Sequence, residues 1–156
     1  MASYSIKRDH IVDTTVEDLW TFLTNPNNLK KLTPKKFGGQ RLDKNAIDEI
    51  SEGFVATYRI KIFPFIYLKW KARFFNIILH ESFIDEQLAG PFKSWKHKHS
   101  IMVHQGNVIM RDEITFEPPF PWFGEYIYVT FILGRLHKLF TYRDDYFDTH
   151  FKQSQS

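Results

Sequence analysis

Two histidines and an aspartate, His97, His99 and Asp112, carry the clearest chemical signal in this 156-residue chain. They lie in the stretch from Phe92 to Glu117, whose two arms alternate apolar and polar residues around Gln105-Gly106 and so read as a β-hairpin. Pairing His104 with Asn107 puts Trp95, His97, His99, Ile101 and Val103 on one face with Val108, Met110, Asp112, Ile114 and Phe116. His99 then stands directly across from Asp112, and cross-strand neighbours are roughly 4.5 to 5.5 Å apart at Cβ, within reach of an imidazole–carboxylate hydrogen bond. A slip of one residue would turn the whole apolar set outward, so the pattern holds the register firmly.

Three chemistries suit this trio. A polar cluster in an apolar wall would orient the polar end of a bound molecule, and this is the preferred reading. Proton transfer is the second, because a carboxylate fixes the tautomer of one imidazole and favours its charged form. A metal site is the third, since His97 and His99 point the same way from one strand and Asp112 would be the third ligand. No fourth ligand is visible nearby, so the expectation is neither metal nor cofactor. Catalytic candidates are His99 and Asp112. There is no nucleophile elbow, phosphate loop or dinucleotide fingerprint, and the doublet Gly38-Gly39 does not lead from a strand into a helix.

Other side chains are expected around the trio. Tyr58 and Trp70 sit on the apolar sides of the strands Phe54–Phe63 and Tyr67–His80, whose opposite sides carry Arg59, Lys61, Lys69, Lys71 and Arg73. Asp85 and Gln87 share a side of the strand Phe83–Leu88, where each either reaches the interior or pairs across the sheet. Arg143 flanks an apolar helical stripe through Ile127, Phe131, Leu133, Leu136, Phe140, Phe147 and Phe151. Turned inward, it needs Asp112, Asp85 or an anionic head group as partner; turned outward, it is simply solvated.

The elements that position these residues follow from periodicity. Tyr4–Asp13 alternates as a first strand. Thr14 or Thr15 caps a helix whose apolar stripe is Val16, Leu19, Trp20 and Leu23, and Asn25-Pro26-Asn27 stops it before a second short helix at Asn28–Leu32. A short edge strand is expected between Lys36 and Lys44. After Pro118, Pro119 and Pro121 the pattern becomes helical from Phe123 to Phe151, roughly 40 Å at 1.5 Å per residue. Gly134 interrupts it, which suggests a bend or a close approach.

The composition suits one domain covering residues 1–156, with 43% hydrophobic residues supplying a core. Sixteen phenylalanines, seven tyrosines and four tryptophans are enough to line a cavity as well as fill a core. The absence of cysteine excludes disulfides, thiolate metal sites and cysteine nucleophiles, and suits a cytoplasmic protein. The formal net charge of +3 arises from 21 basic against 18 acidic residues, so the surface is nearly balanced and no nucleic-acid partner is implied. Transient contact with an anionic membrane is a minor option, through the basic outer face and an aromatic tip at Phe63, Phe65 and Tyr67.

The wording FIDEQLAGPFKSWKHKHSI, followed by MRDEITFEPPF and LFTYR, resembles a bacterial branch of the START, polyketide cyclase and birch pollen allergen superfamily. Asn25-Pro26 with Leu29, Leu32-Thr33-Pro34 and Trp70 match the same pattern, and the likeness runs from about residue 4 to residue 150. The resemblance implies an α+β helix-grip fold: a curved antiparallel sheet of about six to seven strands around a long C-terminal helix, with two short helices after strand one. It implies binding of a small hydrophobic ligand, lipid, quinone or polyketide-like, in a cavity between sheet and helix. The expected lining is Tyr58, Trp70, Trp95, His97, His99, Met110, Asp112, Phe131 and Arg143. Two alternatives stand beside it: a cofactor-independent cyclase or dehydratase using the His-Asp pair, and a protein-partner or quinone-delivery module acting through its surface. Trp122 and Phe123, near the start of the long helix, are candidate gates.

Overall fold

The computed structural model describes residues 2–43, 47–119 and 125–153. Trp122 and Phe123 lie outside that set. Among the described residues, seven strands form one antiparallel curled sheet: β1 (Tyr4–Val12), β2 (Gly38–Arg41), β3 (Val55–Phe63), β4 (Ile66–Ile78), β5 (Ser82–Ala89), β6 (Ser94–His104) and β7 (Asn107–Glu117). β2 to β7 follow one another as a meander, and β1 closes the order β1-β7-β6-β5-β4-β3-β2 by pairing with β7. Among the described residues two α-helices complete the fold, α1 (Val16–Thr24) and the long α2 (Glu125–Gln153).

Local chemistry sets the punctuation. Thr15 caps α1, its Oγ1 accepting from the Asp18 N–H at 3.1 Å. Asn25 ends α1 and caps a 3₁₀ turn at Pro26–Lys30, its Oδ1 accepting from the Asn27 N–H at 2.9 Å. The expected second short helix is this 3₁₀ turn, displaced toward the N-terminus because Pro26 fits its first position. A further 3₁₀ turn, Lys35–Phe37, leads to β2. Gln105 and Gly106 both have positive φ, 50° and 78°, as a two-residue turn matching the twist of a hairpin requires. His104 faces Asn107, as the alternation predicts. Gly38 at φ 87° lets β2 lie against β3; a Cβ there would come 2.7 Å from the Arg59 carbonyl oxygen.

The long helix lies over the concave side of the sheet. Along one flank, Tyr4 donates to Glu125 at 2.8 Å, Arg8 to Asp144 at 2.5 Å, and His10 Nε2 lies 3.2 Å from Asp148. Its buried stripe is Tyr128, Val129, Ile132, Leu136, Phe140, Arg143, Phe147 and Phe151. This is a different phase from the expected one at the N-terminal end: Ile127 is 67% exposed and Leu133 40% exposed. Stepping by four and three residues from Ile132 through Leu136, Phe140 and Arg143 keeps to one face, whereas Ile127 and Leu133 fall off it. Gly134 is exposed with open space where a Cβ would sit, so the expected close approach is not there.

Two apolar clusters fill the interior. One joins α1 to β4–β7 and the end of α2 through Leu19, Trp20, Phe22, Phe74, Phe83 and Phe147. The other joins the start of α2 to the sheet through Ile62, Phe92, Trp95, Ile114, Phe116 and Ile132. A cavity is left between sheet and helix.

Candidate functional site

The cavity encloses about 220 Å³. An apolar hollow of roughly 150 Å³ accommodates one benzene ring, so this space admits at least a single-ring molecule. Of the residues expected to line it, Tyr58, Trp70, Trp95, His97, His99, Met110 and Arg143 do so. Asp112 does not touch the cavity and lies behind the histidines; Phe131, half-buried on the flank of α2, packs against the second cluster instead. The lining from α2 is Ile132, Arg135, Leu136, Leu139 and Arg143, and Phe131 lies at the edge of that face beside Arg135.

At one end the apolar wall gives way to a compact polar cluster. His97 and His99 project inward from β6, their rings tilted by 32° with centroids 3.8 Å apart. Asp85 on β5 pairs with His97 across the ladder, and Asp112 on β7 pairs with His99. The short hydrogen bonds nevertheless run along the diagonals. His97 Nε2 lies 2.6 Å from Asp112 Oδ1, and His99 Nε2 lies 2.7 Å from Asp85 Oδ2. The directly opposed atoms are farther apart, 3.4 Å for His99 Nδ1 to Asp112 Oδ1 and 3.8 Å for His97 Nδ1 to Asp85 Oδ2. The simple His99–Asp112 pair expected from the register is therefore replaced by two neighbouring, tilted imidazoles held between two carboxylates.

A third charge closes the cluster. Arg143 points inward, buried to 6% exposure, with Nη1 3.9 Å from Asp112 Oδ1 and Nε donating to the Leu32 carbonyl at 3.3 Å. The inward alternative for this residue is the one adopted, because position 143 falls on the buried stripe of α2.

Burial and neighbours divide the two histidines. Burial, then the charge of His99, hold the His97 imidazole below the ordinary histidine value against the pull of Asp112. Burial would also lower His99, but its contacts with Asp112 and Asp85 outweigh that and raise it. Asp112 would be raised by burial, yet the two histidines hold its carboxyl far below the usual carboxylate range. Burial lowers Arg143, offset in part by Asp112 and Asp85. An ionised Asp112 can only accept, so neutral His97 carries its proton on Nε2 and leaves Nδ1 as a lone pair facing Asp85. Arg143 places a buried guanidinium beside the Asp112 carboxylate.

Around the cluster, Phe83 stacks on His99 with centroids 4.4 Å apart, and Trp70 meets Trp95 edge-on at 5.1 Å. Tyr58 is buried, its hydroxyl donating to the Pro26 carbonyl at 3.3 Å. Asp85 is the site residue that sequence left undecided, since both its strand neighbours and the interior were open to it. Its partner in that ambiguity, Gln87, turns out to pin the Gly90-Pro91 turn, donating to the Phe92 carbonyl at 2.8 Å. The segment from Phe22 to Gly39 also lines the cavity, through Phe22, Leu29, Leu32, Thr33 and Phe37. Only the apolar character of Phe22, Leu29, Leu32 and Phe37 could have signalled it. Half-buried Arg135 and Lys61 mark a rim of the cavity. Arg135 donates to the Lys61 carbonyl and stacks over Phe37, its guanidinium carbon 3.8 Å from the ring centroid.

No family model matches the sequence, and no curated protein matches it closely. Solved structures do match in shape. The solution structure of KanY superposes with a TM-score of 0.72 at 14% identity, over 97% of this chain and 99% of that one. Norcoclaurine synthase from Thalictrum flavum, in complex with dopamine and hydroxybenzaldehyde, gives a TM-score of 0.64 at 12% identity, over 92% and 86% of the two chains. Ara h 8.0201 gives 0.63 at 9% identity, over 94% and 98%. At such identities the likeness speaks for architecture alone. Together with the seven-stranded curled sheet, the short helix and turns after β1 and the long C-terminal helix, it places the chain in the helix-grip fold shared by the START, polyketide cyclase and birch pollen allergen superfamily.

Proposed function

We propose that this domain binds a small hydrophobic ligand with one polar end, lodged between sheet and α2. The observation that carries this reading is an apolar cavity ending in a buried charged cluster, with Asp85, His97, His99 and Arg143 all on its wall. Aromatic and aliphatic walls supply affinity through area removed from water, while a few convergent polar groups fix orientation. Arg143 makes one long ion pair and one hydrogen bond, so its guanidinium has donors left for an oxygen on the ligand. A helix-grip protein holds dopamine and hydroxybenzaldehyde, single-ring molecules of a size this cavity admits.

Native mass spectrometry of the purified protein, followed by organic extraction, tests the reading directly. A retained apolar molecule is the expected result. An empty protein that also fails to bind quinones, fatty acids and aromatic polyketides would sink it.

A second reading adds delivery at a membrane surface. It is favoured by the β3–β4 tip, where Phe65 is 92% exposed, Ile66 50% and Tyr67 51%, with Arg59 and Lys61 beside Tyr67. Exposed aromatics flanked by cations suit an anionic interface, at about 1 kcal/mol for each basic residue near it. Phe65→Ser should then release the protein from phosphatidylserine vesicles without altering ligand binding in solution. Equal vesicle binding by wild type and variant would exclude this role for the tip.

A further inference from the structure

The cavity end of the polar cluster has the donor set of a metal centre. Asp85, His97 and His99 each offer one ligand atom, and these atoms all lie within 4.8 Å of one another. All three residues line the cavity, whereas Asp112 sits behind them. Two imidazoles and one carboxylate gathered on one side of an ion leave its remaining positions open, the pattern used by mononuclear transition-metal sites that admit a substrate or water.

The strongest support is the position of Asp112. A metal-bound histidine characteristically gives its other ring N–H to a carboxylate, which fixes the tautomer and turns the free lone pair toward the ion. Here Asp112 Oδ1 lies 2.6 Å from His97 Nε2 and 3.4 Å from His99 Nδ1, the two nitrogens directed away from Asp85. The nitrogens facing Asp85, His97 Nδ1 and His99 Nε2, are those left to coordinate. His99 Nδ1 is buried without a well-formed hydrogen bond, 3.4 Å from Asp112 Oδ1.

The distances from Asp85 to the two imidazoles are close to those a bound ion requires. Metal–nitrogen and metal–oxygen bonds of about 2.0 to 2.2 Å place neighbouring ligand atoms about 3 to 3.5 Å apart. Asp85 Oδ2 is now 2.7 Å from His99 Nε2 and 3.8 Å from His97 Nδ1, values that bracket that span. Moving the carboxylate by a few tenths of an ångström away from His99 and toward His97 would meet both.

We propose that Asp85, His97 and His99 bind one divalent transition-metal ion of the zinc or ferrous class at the polar end of the cavity, with Asp112 orienting both imidazoles. The metal site stands on these side chains alone. Coordination of a ligand oxygen at the ion's open face rests additionally on the ligand-binding reading above.

Titration of chelator-treated protein with Co²⁺ and Zn²⁺ tests the site. The expected result is one equivalent of Co²⁺ with the visible absorption of a nitrogen- and oxygen-ligated ion, displaced by Zn²⁺. Asp85→Asn and His97→Gln should lose this, and Asp112→Asn should weaken it roughly 10- to 100-fold, as loss of a carboxylate behind a ligand does. If the variants fold poorly, ¹⁵N shifts of the His97 and His99 imidazoles in wild-type protein on Zn²⁺ addition answer the question without them. Unmoved histidine signals, or equally tight binding by Asp85→Asn, would overturn the proposal. Binding of an apolar fluorescent probe, measured on the same samples, separates the two readings. Probe binding without metal sinks the metal site alone, and metal binding without probe sinks the ligand-binding reading alone.

Discussion

Asp112 stands opposite His99 in the β6–β7 ladder yet accepts its short hydrogen bond from His97, two residues along the same strand. The carboxylate thereby serves both imidazoles and faces Arg143 as well, at 3.9 Å. Its replacement should be costly. Asp112→Asn keeps the size and one acceptor but leaves the buried Arg143 guanidinium short of a counter-charge. Removing one partner of a buried ion pair typically costs about 3 to 5 kcal/mol, and urea unfolding should read a loss in that range. Adding Arg143→Met to Asp112→Asn should recover part of it, since the surplus cation goes too. A single variant within about 0.5 kcal/mol of wild type, the range of an ordinary surface change, would show that the cluster is not electrostatically coupled.

The two histidines should give the metal-free protein a stability maximum near pH 6.5. His99 is raised, so its contribution is complete below the unfolded value of about 6.5 and is lost as pH rises through its higher folded value. His97 is lowered, so below about pH 6.5 the unfolded chain takes up a proton that the folded protein refuses, and stability falls as pH falls. Asp112 is lowered as well; its contribution is present above about pH 3.9 and disappears as pH drops through its folded value. Urea midpoints measured across this range with chelator present should peak near neutrality. His99→Gln should flatten the alkaline limb and His97→Gln the limb just below pH 6.5. Unchanged limbs in both variants would refute the division of roles.

Much of this site could be read from residue order because β-hairpins obey a two-residue period. Once Gln105-Gly106 is taken as the turn, Trp95, His97, Met110 and Asp112 must share a face, and the structure keeps that register throughout β6 and β7. Period alone does not reach further. Which side of β5 faces inward depends on its pairing with β4, where the register shifts between Lys71 and Ala72 and between Phe75 and Ile78, so Asp85 stayed ambiguous. The diagonal bonding depends on side-chain torsions that no spacing rule specifies. On α2, apolar residues occur on several sides, and the buried stripe includes Arg143, a charged residue that hydropathy assigns to solvent.

Ala72 offers a way to close the cavity from the sheet. It lines the space, is 3% exposed, and lies on β4 opposite Ala56. Ala72→Phe would project a ring into the hollow. Overpacking a filled core costs about 1 to 3 kcal/mol, but a ring entering existing space should stay at the low end of that range. Binding of an apolar fluorescent probe should fall at least tenfold, about 1.4 kcal/mol. Undiminished binding in a folded variant would place the ligand elsewhere.

Arg135 should control the rate at which ligand enters and leaves. Its guanidinium spans the cavity rim from α2 to the Lys61 carbonyl of β3 and covers the face of Phe37, so a ligand entering by this rim would displace both contacts. The hydrogen bond and the stacking on an aromatic ring each contribute on the order of 1 kcal/mol at a partly exposed site. Neither contact involves the polar cluster, so their loss should lower the barrier to passage more than it alters the bound state. Arg135→Ala is therefore expected to speed association and dissociation together, by about tenfold, with little change in Kd. Stopped-flow measurement with an apolar fluorescent probe distinguishes this from a direct contribution to binding, in which dissociation alone would accelerate and Kd would rise in proportion.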